Sequence, residues 1–164
     1  MPLTISVENL VAWNNTTAER WRDFIVHNPA ILQLPCDIRN GKTVADTLQH
    51  IVAVELRYAQ RLFGLPESPY EEIPKGPIGS LYSAHALAFE LVRNLLANPT
   101  YDWSTEVTFE TISLGRLRAS RETILLHLIL HSIRHYAQLA TVVRQNGFKP
   151  TWPMDYLFSA SSRG

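Results

Sequence analysis

Residues 120–147, SRETILLHLILHSIRHYAQLATVVRQNG, decide the fold class. The run contains no proline and no glycine before Gly147, and it is far too long for a strand. Ser120 is a good helix cap, Glu122 puts an acid in the first turn, and Gly147 suits the position just past a helix end. His127, His131 and His135 stand four residues apart. Four residues turn a helix by about 400°, so the three rings form one stripe that drifts only about 40° per step. Ile124, Leu128, Gln138 and Val142 share that stripe, which therefore faces apolar surroundings.

A buried imidazole without a partner costs about 1–3 kcal/mol, and a divalent metal can supply the partner. A His-x-x-x-His pair presents two nitrogens about one turn apart, a spacing that suits a single ion. The competing reading is a stack of hydrogen-bonded core histidines. The pattern is not the His-Glu-x-x-His of metalloproteases, because Leu128 and Ser132 stand where the glutamate is needed. A third protein ligand has to come from another helix, and two histidines are available. His85 is flanked at helical spacing by Leu81, Ala88, Phe89 and Val92, whereas His50 lies at the margin of an apolar arc near Thr47, Ala53, Val54 and Arg57. Periodicity slightly favours His85 as the inward residue, without saying whether it binds metal or fills the core. His27, beside Asn28-Pro29, reads as an exposed helix-end residue.

Working outward, three more windows are free of both proline and glycine. One runs from about Thr4 to His27. The second starts after Gly41, with Thr43 as its cap, and ends at Gly64. The third runs from Ser80 to about Asn98 and is stopped by Pro99. Pro66, Pro69, Pro74, Gly76 and Pro77 make the stretch before it an irregular connection. Between the last two windows, Val107, Phe109, Ile112 and Leu114 alternate with polar residues up to Gly115, as in a short strand pair or an extended loop. The expectation is an all-α four-helix bundle, a single domain over residues 1–164, with long crossover connections and a short strand pair before the last helix.

The chain has 164 residues with 15 basic and 15 acidic side chains, and its formal net charge is zero. Its Arg and Lys are scattered singly or in pairs, which argues against a nucleic-acid partner. Cys36 is the single cysteine, so an internal disulfide framework and a cysteine-rich zinc module are both excluded. Met1-Pro2-Leu3-Thr4 has neither the charged start nor the apolar stretch of a secretion signal. Ile124 to Leu130 is too short to span a bilayer, so a cytoplasmic location with no membrane partner is expected.

The stretches Thr43–Tyr58 and Leu126–Leu139, with the tail Asn146–Phe158, resemble the DinB/YfiT superfamily over essentially the whole chain. The most specific element is the histidine-rich last helix ending in His-x-x-Gln. The resemblance implies a DinB-like four-helix bundle. It also implies a divalent ion, zinc or nickel, held by one histidine of the second helix and a His-x-x-x-His pair of the last. In this chain those positions are His50, His131 and His135. His127 then becomes a residue of the surrounding pocket, and Ala137 before Gln138 agrees with the pattern.

Three neutral imidazoles leave an open position on such an ion, the arrangement of a catalytic rather than a closed structural site. The resemblance implies a metal-dependent enzyme of the thiol transferase or isomerase type, or a hydrolase. Water or a low-molecular-weight thiol would attack an electrophilic small-molecule substrate. The alternative is a non-catalytic metal-stabilised dimer in stress response or small-molecule binding. Candidate pocket residues are His127, Glu55, Arg57, Tyr58, Arg134 and Gln138, and a homodimer is expected by the same resemblance. Cys36 is expected to be packed rather than reactive, and Trp13, Trp21, Trp103 and Trp152 belong to the core, the pocket or a dimer contact.

Overall fold

Three of the four long helices start on a side-chain cap, Ser6, Thr43 and Ser120. The structure is a computed structural model describing residues 6–111 and 113–161. Helix α1 spans Val7–His27, with the Ser6 side chain accepting from the Asn9 amide. A 3₁₀ turn at Pro29–Gln33 follows. Helix α2, Val44–Phe63, opens on a reciprocal capping box between Thr43 and Asp46 and closes on Gly64, whose φ of 78° few other residues adopt cheaply. Helix α3 spans Ile78–Leu96 and begins just before the expected Ser80. Gly79 lies in its first turn, where N–H groups lack intrahelical partners in any case, so it does not delay the start. Helix α4, Arg121–Gln145, is capped by Ser120, and a short helix α5, Tyr156–Ala160, lies in the tail.

Two apolar clusters fix the chain path. One joins Trp21 and Ile25 of α1, Leu48 and Ile51 of α2, Leu81 and Tyr82 of α3, and Tyr136 and Leu139 of α4. The other joins Val11, Leu56, Leu62, Phe89, Val92, Leu125 and Leu128. High-numbered ends of α1 and α4 thus share a cluster with low-numbered ends of α2 and α3, an up-down-down-up bundle. Helix α2 packs on α3 and α4, and α1 packs on the same two from the opposite side. Because α2 and α3 are parallel neighbours, residues 64–77 must travel the length of the bundle. The buried Gln49 side chain pins that crossover by donating to the Ile73 carbonyl at 2.6 Å.

The strand pair differs from expectation in its second half. Strand β1, Glu106–Thr111, alternates exposed and half-buried residues, with Val107 and Phe109 inward. Strand β2 is Gly115–Ser120, antiparallel from Thr111↔Gly115 to Glu106↔Ser120. Leu114 sits in the turn, 74% exposed, and Ile112 lies outside the described residues. Residues 115–118 of β2 are all exposed, so no burial pattern betrayed it in the sequence. Among the described residues no helix is long and apolar enough to cross a membrane.

Between the two clusters lies a buried polar layer with contributions from all four long helices. Glu55 of α2 is fully buried. Its carboxylate accepts from Ser132 Oγ of α4 at 2.7 Å and faces His85 Nδ1 of α3 at 2.6 Å. His85 Nε2 lies 3.2 Å from Asn15 Oδ1 of α1, and Asn15 Nδ2 donates to Glu19 at 3.0 Å. Since Glu19 claims the amide nitrogen, the oxygen accepts from His85 Nε2, and Nδ1 is hydrogen-bonded to Glu55.

Candidate metal centre

The last helix carries its histidine stripe toward α2, and there the rings meet a third. His50 Nε2 stands 3.0 Å from His131 Nε2, which stands 3.2 Å from His135 Nε2. All three ligand atoms lie within 4.8 Å of one another. Metal–imidazole bonds of about 2.0–2.1 Å put two nitrogens about 2.9 Å apart at a right angle and about 3.3 Å apart at the tetrahedral angle. Two sides of the triangle already match, and the third is within 4.8 Å. The rings meet edge to face, at interplanar angles of 66°, 82° and 70°, rather than stacking. The short Nε2–Nε2 separations bring the three donors together, and this donor set fits a divalent ion that favours imidazole.

Burial keeps these rings neutral, as ligation requires. Desolvation first, then the neighbouring His135 and the Arg39 and Arg134 guanidiniums, push His50 down to about 4. Desolvation and the other rings push His131 down to about 2. His135 is lowered by desolvation although its hydrogen bond to Gln138 opposes the shift. That bond also settles the tautomer: Nδ1–H donates to Gln138 Oε1 at 2.7 Å, which leaves the Nε2 lone pair facing the cluster. His131 Nδ1 is buried without a partner among the described residues.

His50 and His131 form part of the wall of a cavity of about 510 Å³ enclosed by α2, α4, the hairpin, the crossover and residues 39–40. His127 is on the same wall, its ring centroid 5.4 Å from that of His131 and 5.2 Å from Tyr58. Burial lowers its pKa too. Tyr58 packs edge-on to Phe109 of the hairpin, and the Arg61 guanidinium lies over both rings at 4.5 and 4.2 Å. Arg57 and Arg61 both bind Glu67 of the crossover, at 3.2 and 2.6 Å. Hairpin, crossover and α2 are thereby tied into one cavity wall.

Of the residues singled out from sequence, the structure brings His50, His131, His135, Gln138, His127, Tyr58, Arg57 and Arg134 to this region. Glu55 it does not: the carboxylate is held in the polar layer by His85 and Ser132, and among the described residues no arginine pairs with it. His85, with both nitrogens engaged there, has no lone pair for the cluster. His27 is exposed at the end of α1, and Cys36 is buried 3.3 Å from Thr47 Oγ1. Trp21 is core, Trp152 packs edge-on to it, Trp13 donates to the Met154 carbonyl in the tail, and Trp103 packs against the second cluster. Sequence reasoning missed Arg39 and Glu67. The proximity of Arg39 to the Gly41–Thr43 helix start was the one available signal, since a loop just before a helix on this face must pass the cavity mouth.

Fold and site together define a four-helix bundle with a metal-suited histidine cluster between its second and fourth long helices. The chain matches the DinB family over residues 3–163 and belongs to that family. Comparison with curated proteins returned no match.

Proposed function

We propose that this is a metal-dependent enzyme in which Nε2 of His50, His131 and His135 holds zinc or nickel beside the cavity. The observation that carries the reading is the convergence of three neutral, non-stacked imidazoles at the wall of a cavity of about 510 Å³. Bound there, the ion would act as a Lewis acid and lower the pKa of a water or small thiol, making a nucleophile near neutral pH. The described residues of the cluster add no fourth ligand, which suits an open site.

The chain's own residues then have distinct tasks. Gln138 holds His135 in the ligating tautomer. His127, neutral and facing the cavity one turn from His131, is placed to accept a proton from the nucleophile. Tyr58, Leu114 and Leu117 line the apolar part of the cavity against which an electrophilic small molecule would pack. The thiol-transferase or isomerase type of reaction is favoured over hydrolysis only by the resemblance described above.

Metal content of untagged protein, measured by mass spectrometry beside His135→Ala, tests the proposal. About one zinc or nickel per chain, lost in the variant, is expected for a single three-histidine site. Wild-type protein that stays metal-free after reconstitution would overturn it.

A further inference from the structure

Three neutral imidazoles bring no negative charge to a divalent ion, so the charge around the cluster has to be balanced from elsewhere. The nearby side chains worsen the balance. Arg134 Nη2 donates to His135 Nε2 at 3.3 Å, onto the lone pair through which that ring would ligate. An ion held through that lone pair would displace the guanidinium and leave it beside the cluster without a partner. Arg134 is exposed, and neither it nor Arg39 is ion-paired among the described residues.

Arg39 reaches the same space from the loop before α2. It and Asn40 both adopt left-handed backbone, with φ of 47° and 64°. Side chains other than glycine adopt that conformation rarely, so the surrounding fold must hold it. Arg39 shares the cavity wall with His50, His127 and His131. Arg134 thus stands against one ring of the cluster, and Arg39 stands on the wall that carries the other two. Of the cavity's carboxylates, Glu67 is taken by Arg57 and Arg61, while Glu71 and Glu110 are exposed.

We infer that Arg134 and Arg39 form an anion-binding position over the histidine cluster, and that the small molecule bound there carries a carboxylate. Two guanidiniums suit a carboxylate better than a compact halide, because each presents parallel N–H donors to two oxygens. This inference rests on the metal reading and adds the charge class of the ligand to it.

The test uses full-length protein loaded with cobalt(II), whose visible absorption reports on ligands at the open position. Two thiols of equal length, 3-mercaptopropionate and 3-mercaptopropan-1-ol, are titrated into wild type, Arg134→Gln and Arg39→Gln. The carboxylate thiol should bind wild type about tenfold more tightly than the alcohol, the size of one or two charge-assisted hydrogen bonds. Each substitution should cut that preference about threefold or more and leave the alcohol's affinity within about twofold. A normal cobalt spectrum with no carboxylate preference, or a preference that both variants retain, overturns the inference alone. Absence of any cobalt spectrum in wild type sinks the metal reading and this inference with it.

Discussion

At the scale of single residues, Gln138 is the side chain whose role the structure sharpens most. Placed in the pocket by sequence, it turns out to accept the Nδ1 proton of His135 and so to select the ligating tautomer. Gln138→Leu should weaken zinc affinity about 10–100-fold, the usual effect of losing a hydrogen bond behind a metal ligand. Competition against a chromophoric chelator measures this. Gln138 is exposed, so the unfolding midpoint should barely move. The same rings set a pH dependence. His50, at about 4, and the still lower His131 stay neutral in the fold, whereas in the unfolded chain each takes up a proton near pH 6.5. The unfolded state therefore binds more protons between about pH 4 and 6.5, and stability rises with pH across that window. In the presence of a chelator, urea midpoints should climb from pH 4.5 to pH 7. A flat profile would show that the rings are not desolvated.

At the scale of elements, the polar layer matters more than any one helix. Glu55 links α2 to α3 through His85 and to α4 through Ser132. Glu55→Ala leaves a buried imidazole and hydroxyl without their acceptor and should cost about 3–5 kcal/mol in denaturant unfolding. Replacing Glu55 and His85 together with leucine and phenylalanine should cost clearly less than the two single changes summed, because neither partner is then left alone. Element ends were largely readable: Thr43, Ser120, Gly64 and Gly147 punctuate helices as their chemistry requires. Strand β2 was not, since residues Gly115–Arg118 bury no face against the bundle and carry no alternation to read.

At the scale of the whole molecule, the crossover at 64–77 and the hairpin do more than connect helices. Each supplies cavity wall, Glu67 and Tyr70 from one and Glu110, Leu114 and Leu117 from the other. The homodimer implied by family likeness belongs to this scale as well. Sedimentation at micromolar concentration should show a species of twice the 18.6 kDa chain mass. A monomer there would remove the expectation.

The sequence by itself determined the helices and their periods, the common stripe of His127, His131 and His135, and the absence of a disulfide framework. These follow from short-range rules: dihedral preference, caps and the angle between residues on one helix. The structure buries His131 and His135 of that stripe and leaves His127 exposed at the cavity wall. Periodicity left His50 and His85 open, and the family resemblance pointed to His50. The tertiary structure sets His50 against the stripe and His85 in the polar layer, and it alone decided that Glu55 serves that layer and that Arg39 lines the cavity beside the cluster. Periodicity reports where a side chain points around its own axis. It does not report how far that helix is rotated against its neighbour, and at the edge of an apolar arc a small rotation separates a ligand from a core residue.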